Sequence, residues 1–510
     1  MKKASITPFC ALCLMMVASV LFALLESARV YGLDYYASLK AEAGMDSLCA
    51  EYQPLLWEQY GVLALDGAYG TECFMEDYMS ERLTELICMQ VEKEKISVQN
   101  GIDLLGMSLE KLELKGYALA TDQQGKLFFK YIAERMKEEL PIGVAESIYK
   151  RYLEKDNIGP GDFEQEIREA SDTLQRAKAS KWRQIESRVD EAETEEEKEL
   201  AWSEVWVLNS SPIKMLEELL GTALGIESKG VLTMILGDGA QLSVKEGKLI
   251  TSMAERKRKE GNIRYTEETN WYDRVLVLEY LDTYFSCHGE VKDGHYLEYE
   301  MEYILAGKEQ EWKNLEVAFE KLLFAREVAN ITYLLKNSEK MQQAENIARA
   351  IVLLIGENPA AVKVVQAGVV AAWAYAESVA DVRTLVSGEK VSFIKKDEEW
   401  TLGLSSVFSV FQLDTKAKNC ENGMAYKEYL KLLLFTEREE TIVYRMLEAM
   451  EMSLQEVSDY KNCKMEQMFL AMQYRFHFQS KPLFFSLMTI GNFGEEEFHF
   501  WKEELRSYVP

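Results

Sequence analysis

The sequence predicts a mainly α fold of the α+β class, with an apolar N-terminal helix followed by a large acidic body. Residues 6–25 carry no charge, apolar side chains recur at helical spacing over most of the remainder, and short alternating stretches interrupt that pattern. In chain order we expect a basic start and transmembrane anchor (1–25), a stalk helix with a small α+β unit (26–156), a variable charged helical segment (157–262) and a helical domain with short strands (263–510).

The N-terminal apolar segment has the length of a membrane-spanning helix. It runs without a charge from Ile6 to Leu25, and a helix that rises about 1.5 Å per residue crosses the ~30 Å hydrocarbon core with about 20 residues. Signal peptides have shorter apolar regions that end in a small-x-small cleavage site. The best candidate for such a site in this chain, the small-residue exit Glu26-Ser27-Ala28, has a glutamate where a small residue is required. We therefore expect a retained single-pass anchor rather than a cleaved signal or a buried core helix. Because Lys2 and Lys3 precede the span, the positive-inside rule places the N-terminus in the cytoplasm and the body outside.

The span contains the residues that we expect to contact lipid and to pack the helix against other helices: Ile6, Leu12, Ser19, Ala23 and Leu25. Ser19 and Ala23 form a small-xxx-small face that allows close helix packing, although ordinary membrane filler is the open alternative. Glu26 and Arg29 follow one turn apart, so we expect them to pair at the membrane edge.

The same helix is expected to continue beyond the membrane as a stalk to about Tyr52. No proline occurs between the span and Pro54. Apolar or aromatic residues recur on one predicted stripe, formed by Leu25, Ala28, Tyr31, Tyr35, Leu39 and Ala43.

The rest of the chain reads as helices separated by short strands. A helix is predicted at 74–94, a strand at 104–119, a helix from Lys126, and a long charged helix at 163–207 after a linker at 157–162. Further helices are predicted at 274–285, 315–336, 339–356, 359–387, 425–435 and 437–458, a short strand or hairpin at 390–402, and a late strand around Tyr474, Phe476 and Phe478. The segment 359–382 could be a second span, but Lys363, Gln366 and Glu377 favour a buried helix of a soluble bundle.

Composition restricts the possible partners. With Lys+Arg 58 against Asp+Glu 85, the net charge of −27 argues against nucleic acid and anionic membrane surfaces as partners. Eight cysteines are present, two of them inside the span. The other six form up to three disulfides or remain free thiols, and the sequence leaves both possibilities open.

The search for catalytic chemistry gives no motif. The sequence contains no GxSxG, P-loop or HExxH pattern, and Cys287-His288 with His295 does not have the spacing of a zinc site. We therefore expect no enzyme, no cofactor and no metal site. A secreted hydrolase with a carboxylate pair remains an alternative, because such a pair has no sequence signature among 85 acidic residues.

Several stretches resemble a known family. The opening KKASIT with the uncharged run, LLESARVYGL, LLWEQYGVLALDGAYG and KGYALATDQQGKLFFKYI are similar to TadE/TadG-like pseudopilins of tight-adherence (Flp) pilus loci in Gram-positive, clostridial-type bacteria. The resemblance returns at MEYILAGKEQEWKNLEVAFEKLLFAREVANITYLL and covers most of residues 1–160 and 265–460.

The resemblance implies a structural role in the cell envelope. The expected function is that of an accessory, minor pseudopilin-like component of pilus assembly or surface attachment, with other pseudopilins as partners. The family supplies no catalytic residues, and the DxSxS motif of metal-dependent adhesion is absent. A surface receptor or wall-binding protein unrelated to pili is the first alternative.

Overall fold

The computed structural model describes residues 6–71, 76–93, 104–139, 163–191, 194, 198, 230–237, 239–247, 251–265, 268–355, 361–404, 407, 415–484 and 497–509. About 60% of the chain is helical and a small antiparallel sheet supplies the strands, which confirms the predicted mainly α class with minor β structure.

The elements follow one another in this order. The helices are α1 (Ile6–Cys49), α2 (Pro54–Tyr60), α3 (Glu76–Lys93), α4 (Lys126–Glu139), α5 (Phe163–Glu191), α6 (Val231–Leu236), α7 (Trp271–Tyr284), α8 (Glu300–Ala306), α9 (Glu311–Lys336), α10 (Ser338–Ile355), α11 (Ala361–Val386), α12 (Tyr426–Phe435) and α13 (Glu439–Glu456). The strands are β1 (Leu65–Asp66), β2 (Ser108–Leu119), β3 (Met468–Ser480) and β4 (Phe498–Ser507). The predicted linker at 157–162 and most of 192–207 lie outside the described residues.

The chain divides into two compact units that are discontinuous in sequence. Unit 1 comprises Met1–Glu139, Leu249–Val277 and Glu439–Pro510, and unit 2 comprises Leu140–Lys248 and Leu278–Arg438. This division differs from the four consecutive segments expected from the sequence, because residues 439–510 join the N-terminal part instead of completing a C-terminal domain. The physical reason is strand pairing: β3 finds its hydrogen-bonding partners in β1, β2 and β4, all of unit 1.

The sheet of unit 1 is built around β3. This strand is antiparallel to β2 along one edge and to β4 along the other, and β1 pairs with its first residues. Met472 lies opposite Tyr117, and Phe478 lies opposite Phe500. The strand predicted around Tyr474, Phe476 and Phe478 is therefore confirmed, and these three side chains are buried on one face.

The second half of α1 supplies the core of unit 1. Its buried stripe consists of Leu33, Ala37, Ala41, Met45 and Leu48, which cluster with apolar side chains of α3 and of the sheet. The stripe predicted from sequence lies on the opposite side, since Tyr31, Tyr35 and Leu39 are 78%, 72% and 47% exposed. Small residues fit where α1 is closely packed, so the helix buries its alanines and leaves the large aromatics outside.

Unit 2 packs α9, α10 and α11 together with α5. The segment considered as a second membrane span forms α11, whose side chains from Val365 to Leu385 are mostly buried. Within the described residues, α1 is the one helix long and apolar enough to cross a membrane.

The short strand or hairpin predicted at 390–402 is wrong. That segment forms turns, with one isolated bridge between Val391 and Met424. The segment instead buries Lys395 and Trp400 in unit 2. Lys395 contacts the Glu377 carboxylate of α11, and the Trp400 indole donates to the Leu402 carbonyl in the same segment.

Two glycines in α1 give a matched test of this packing. A Cβ at Gly44 would meet Ile87 Cγ1 at 2.7 Å, whereas a Cβ at Gly32 would meet nothing within 4 Å. We expect Gly32→Ala to stabilise unit 1 by ~0.5–1 kcal/mol through the helix propensity of alanine. Gly44→Ala should destabilise it, because α1 and α3 must move apart. Thermal unfolding of the detergent-purified protein measures both, and equal shifts for the two variants would contradict the α1–α3 contact.

Candidate functional site

The first half of α1 is mostly exposed in the described protein, and of its large apolar side chains Phe22 is half-buried. The other large apolar side chains that the structure describes in this half are exposed, with Leu12 at 62% and Leu25 at 48%: Phe9, Leu12, Leu14, Met15, Met16, Val17, Val20, Leu21, Leu24 and Leu25. Ala23 is exposed as well, and the side chain of Ile6 lies outside the described residues. An exposed apolar surface of this length is typical of a helix that contacts lipid or another apolar surface.

Ser19 has a partner within its own helix. Its Oγ donates to the Met16 carbonyl oxygen at 2.8 Å. The hydroxyl therefore does not add an unsatisfied polar group to the apolar half. Ser19 and Ala23 leave a small surface one turn apart, as the sequence predicted, and what packs there stays a prediction.

The apolar half ends at a buried carboxylate. Glu26 is 0% exposed, and its Oε1 forms an ion pair with Arg29 Nη1 at 2.8 Å. The second oxygen, Oε2, accepts the backbone N–H groups of Leu483 at 3.0 Å and Phe484 at 2.5 Å. Both carboxylate oxygens are thus satisfied, which a buried charge requires.

Arg29 connects this point of the helix to two other segments of unit 1. Its Nε donates to the Leu104 carbonyl at 2.7 Å, ahead of β2. At the end of β3, Nη2 donates to Ser480 Oγ at 2.8 Å and Nη1 to the Lys481 carbonyl at 3.0 Å. A planar guanidinium with fixed donor directions suits such a junction better than lysine does. We call Glu26, Arg29 and these partners the Glu26–Arg29 lock.

An aromatic contact lies next to the lock. The rings of Phe22 and Phe484 stack with centroids 6.4 Å apart and an interplanar angle of 17°. The point where α1 leaves the packed core of unit 1 is therefore fixed by both polar and apolar contacts. The sequence predicted the pairing of Glu26 with Arg29, but nothing in it indicated their partners around residues 104 and 480–484, which are far away in the chain.

The Cys287-His288 and His295 group lies in unit 2. His295 Nδ1 contacts Glu300 Oε2 at 2.7 Å, and His288 packs edge-on against Tyr299, Phe319 and Tyr426. Desolvation by burial lowers the pKa of His288. Across the residues that the structure describes, no three or more His, Cys, Asp or Glu side chains are arranged to hold a metal ion.

Glu302 is a buried acid close to this group. Its Oε1 accepts the His288 backbone N–H at 2.9 Å and the Tyr426 hydroxyl at 2.8 Å. Burial raises the pKa of Glu302 to about 7 despite these donors. Glu302 does not line the 260 Å³ cavity of unit 2, whose lining residues are apolar apart from Lys363 and Gln366. The carboxylate pair of a hydrolase thus has no observed counterpart at that cavity.

The cysteines within the described residues are free thiols. They are Cys10, Cys13, Cys49, Cys88, Cys287, Cys420 and Cys463. Cys73 lies outside the described residues.

These features define a class: a mainly α protein with one N-terminal helix that could be a membrane anchor or a signal sequence. The chain belongs to a family of unknown function (DUF5702), which matches residues 210–480. That match covers α6 to α13 and all of β3 but not α1. No curated protein and no solved structure matches the chain.

The lock predicts a clear difference between two arginine substitutions. Arg29→Gln leaves the buried Glu26 carboxylate without its cation, so we expect a loss of about 3–5 kcal/mol of unit 1 stability. Arg82, whose Nη2 is 2.6 Å from Glu51 Oε1 and whose side chain is 37% exposed, is the matched control. Arg82→Gln should cost about 1 kcal/mol or less, as for exposed ion pairs.

Hydrogen exchange at the Leu483 and Phe484 amides measures the local effect. Protection of both amides should fall in the Arg29 variant and stay unchanged in the Arg82 variant. Equal protection in the two variants would contradict the lock.

Glu302 predicts a pH-dependent stability difference. Its pKa is about 7 in the folded protein against 4.5 as the ordinary value, so the folded state binds the proton more tightly than the unfolded state. Stability is therefore lost as pH rises from 4.5 towards 7, and Glu302→Gln removes this loss. Between pH 4.5 and pH 7, we expect the free energy of unfolding of the variant to rise relative to that of the wild type by up to about 3 kcal/mol. Thermal unfolding across pH measures the difference, and parallel curves would contradict it.

Proposed function

We propose that this chain is a non-enzymatic, single-pass cell-envelope protein with a cytoplasmic N-terminus and an extracytoplasmic body. In this proposal it acts as an accessory, pseudopilin-like subunit of tight-adherence pilus assembly or surface attachment. The observation that carries the proposal is α1, one unbroken helix of 44 residues whose first half is mostly exposed and whose second half is core. The family of unknown function adds no activity to this argument.

The lock supports retention of the apolar segment over its removal. Cleavage at the small-residue exit after Ala28 would remove Glu26, which accepts the amides of Leu483 and Phe484. It would also leave the Arg29 side chain, only 6% exposed, without its carboxylate. A folded body that uses residues on both sides of the exit favours an anchor that stays attached.

The exposed side of α1 supports lateral contact with another helix. Tyr31, Tyr35 and Leu39 follow at intervals of four residues and are all exposed. Together they form a row that continues the mostly exposed apolar half past Glu26. Solvent-exposed aromatic rows of this kind are typical of protein–protein contacts. We propose that the occupant of this row is the stalk part of the N-terminal helix of another membrane-anchored subunit.

A photo-crosslinking residue in place of Tyr35 tests this assignment in cells. We expect adducts with another protein that carries an N-terminal apolar helix. Tyr78 of α3, which is 36% exposed in the same unit, is the matched control position and should give no such adduct. Equal labelling at both positions would contradict a docking role for the row. Adducts only with a wall component would favour the receptor alternative over the pilus assignment.

A further inference from the structure

Unit 2 contains a group of four charged side chains that are fully buried. They are Arg326 on α9, Glu377 and Asp381 on α11, and Lys395 in the turn segment that follows, all with side-chain exposure of 0%. The two positive and two negative charges cancel, but none of the four side chains has contact with solvent. Burial of complete ion pairs is costly and rarely the most stable arrangement.

Lys395 lies between two carboxylates. Its Nζ contacts Glu377 Oε1 and is 2.5 Å from Asp381 Oδ1. Glu377 is fixed beside it, because Oε1 accepts the Thr401 N–H at 2.9 Å and Oε2 accepts the Leu402 N–H at 2.8 Å. A nitrogen nucleophile, a carboxyl carbon and a second carboxylate are therefore held together in one place.

The two oxygens of Asp381 have different surroundings. Three donors converge on Oδ2: Arg326 Nε at 3.0 Å, Arg326 Nη2 at 2.9 Å and Asn330 Nδ2 at 3.0 Å. Oδ1 faces Lys395 Nζ, and apart from that ion pair it accepts no hydrogen bond from the residues that the structure describes. Acyl transfer at a carboxyl group requires donors aimed at the oxygen that becomes negative, while the other oxygen is free to take up protons and leave.

We propose that Lys395 and Asp381 join in an intramolecular isopeptide bond, with Glu377 as the proton carrier. This site is a covalent modification site formed by the chain itself, and it does not depend on the proposed cell-envelope function.

The reaction balances without any co-reactant. One proton passes from the Lys395 ammonium to Asp381 Oδ1, which gives a neutral amine and a neutral acid. Nζ attacks Cγ, and the negative charge that develops on Oδ2 is stabilised by Arg326 and Asn330. Glu377 takes a second proton from Nζ and delivers it to Oδ1, which departs as water. The products are one amide, one water molecule and the original Glu377 carboxylate.

The surroundings favour the product over the ion pairs. The centroid of the Trp400 ring lies 5.6 Å from Lys395 Nζ, and the neighbouring Trp373 is buried as well, so little water competes. Amide formation removes one buried cation and one buried anion, and the charges of Arg326 and Glu377 still balance. Burial raises the pKa of Asp381, but Lys395 and Arg326 outweigh it and hold that pKa below its usual value. The first proton transfer is therefore uphill.

The mass of the full-length protein, purified in detergent, tests the proposal directly. We expect an intact mass lower than the sequence mass by one water molecule. Proteolytic mapping should recover a branched peptide in which Lys395 is joined to Asp381, which distinguishes the link from water loss at another aspartate. The sequence mass, with Lys395 and Asp381 in separate linear peptides, would overturn the proposal. A link from Lys395 to Glu377 would overturn the assignment of Asp381.

Three variants separate this chemistry from a purely structural ion-pair role. Asp381→Asn should still form the link but lose ammonia instead of water, a change that no ion pair produces. Glu377→Gln should keep the full sequence mass, because its amide cannot carry the proton. Lys431 is the matched control: it is 2.8 Å from both Glu279 and Asp282, and Lys431→Gln should leave the water loss unchanged. Loss of the link in the Lys431 variant would contradict the assignment of Lys395.

Discussion

The helix α1 is mostly exposed over its first half and buried in the core of unit 1 over its second half. The packing of unit 1 depends on the point where the first half gives way to the second. Most side chains of residues 7–25 of α1 are exposed, whereas the buried stripe that begins at Leu33 forms the core against the sheet. The change occurs at Glu26, where a carboxylate is fully buried in a helix that is apolar up to that point. Glu26 can stay there only because Arg29 and two backbone amides satisfy it.

Buried glutamates that accept hydrogen bonds from backbone N–H groups elsewhere in the chain occur repeatedly in this acidic protein. Each accepts at least one backbone N–H from a loop or turn: Glu26 from Leu483, Glu302 from His288, Glu311 from Tyr299, Glu377 from Leu402, Glu448 from Met253 and Glu451 from Met465. Loops carry N–H groups that no helix or sheet pairs, and a carboxylate is the strongest side-chain acceptor for them. The large excess of acidic residues is therefore only partly a solvated surface.

The sequence predicted those features that depend on local pattern. Helical spacing located α9, α10, α11 and α13 to within a few residues, and alternation located β3. It could not choose which side of α1 is buried, because Tyr31 and Leu39 are as apolar as the alanines that pack inside. The prediction at 390–402 failed for another reason: Lys395 and Trp400 are buried in turns, and a lysine in the core is not recognised from a polar and apolar pattern.

Long-range partners were beyond prediction from a single sequence. The assignment of residues 439–510 to the N-terminal unit depends on the pairing of β3 with β2, more than 300 residues away. The donors around Asp381 likewise come from α9, and no spacing rule connects Arg326 with that carboxylate. Nothing local in the chain indicates such contacts, because they join segments that are far apart in the sequence.

The state of the N-terminal helix in the mature protein tests the central claim most directly. The account predicts that the protein stays with membranes after an alkaline wash, and that mass spectrometry of this fraction recovers a peptide containing residues 6–25. A soluble extracellular species whose chain begins after Ala28 would contradict it. In that case the Glu26–Arg29 lock could not form in the mature protein, and α1 would serve as a signal instead of an anchor.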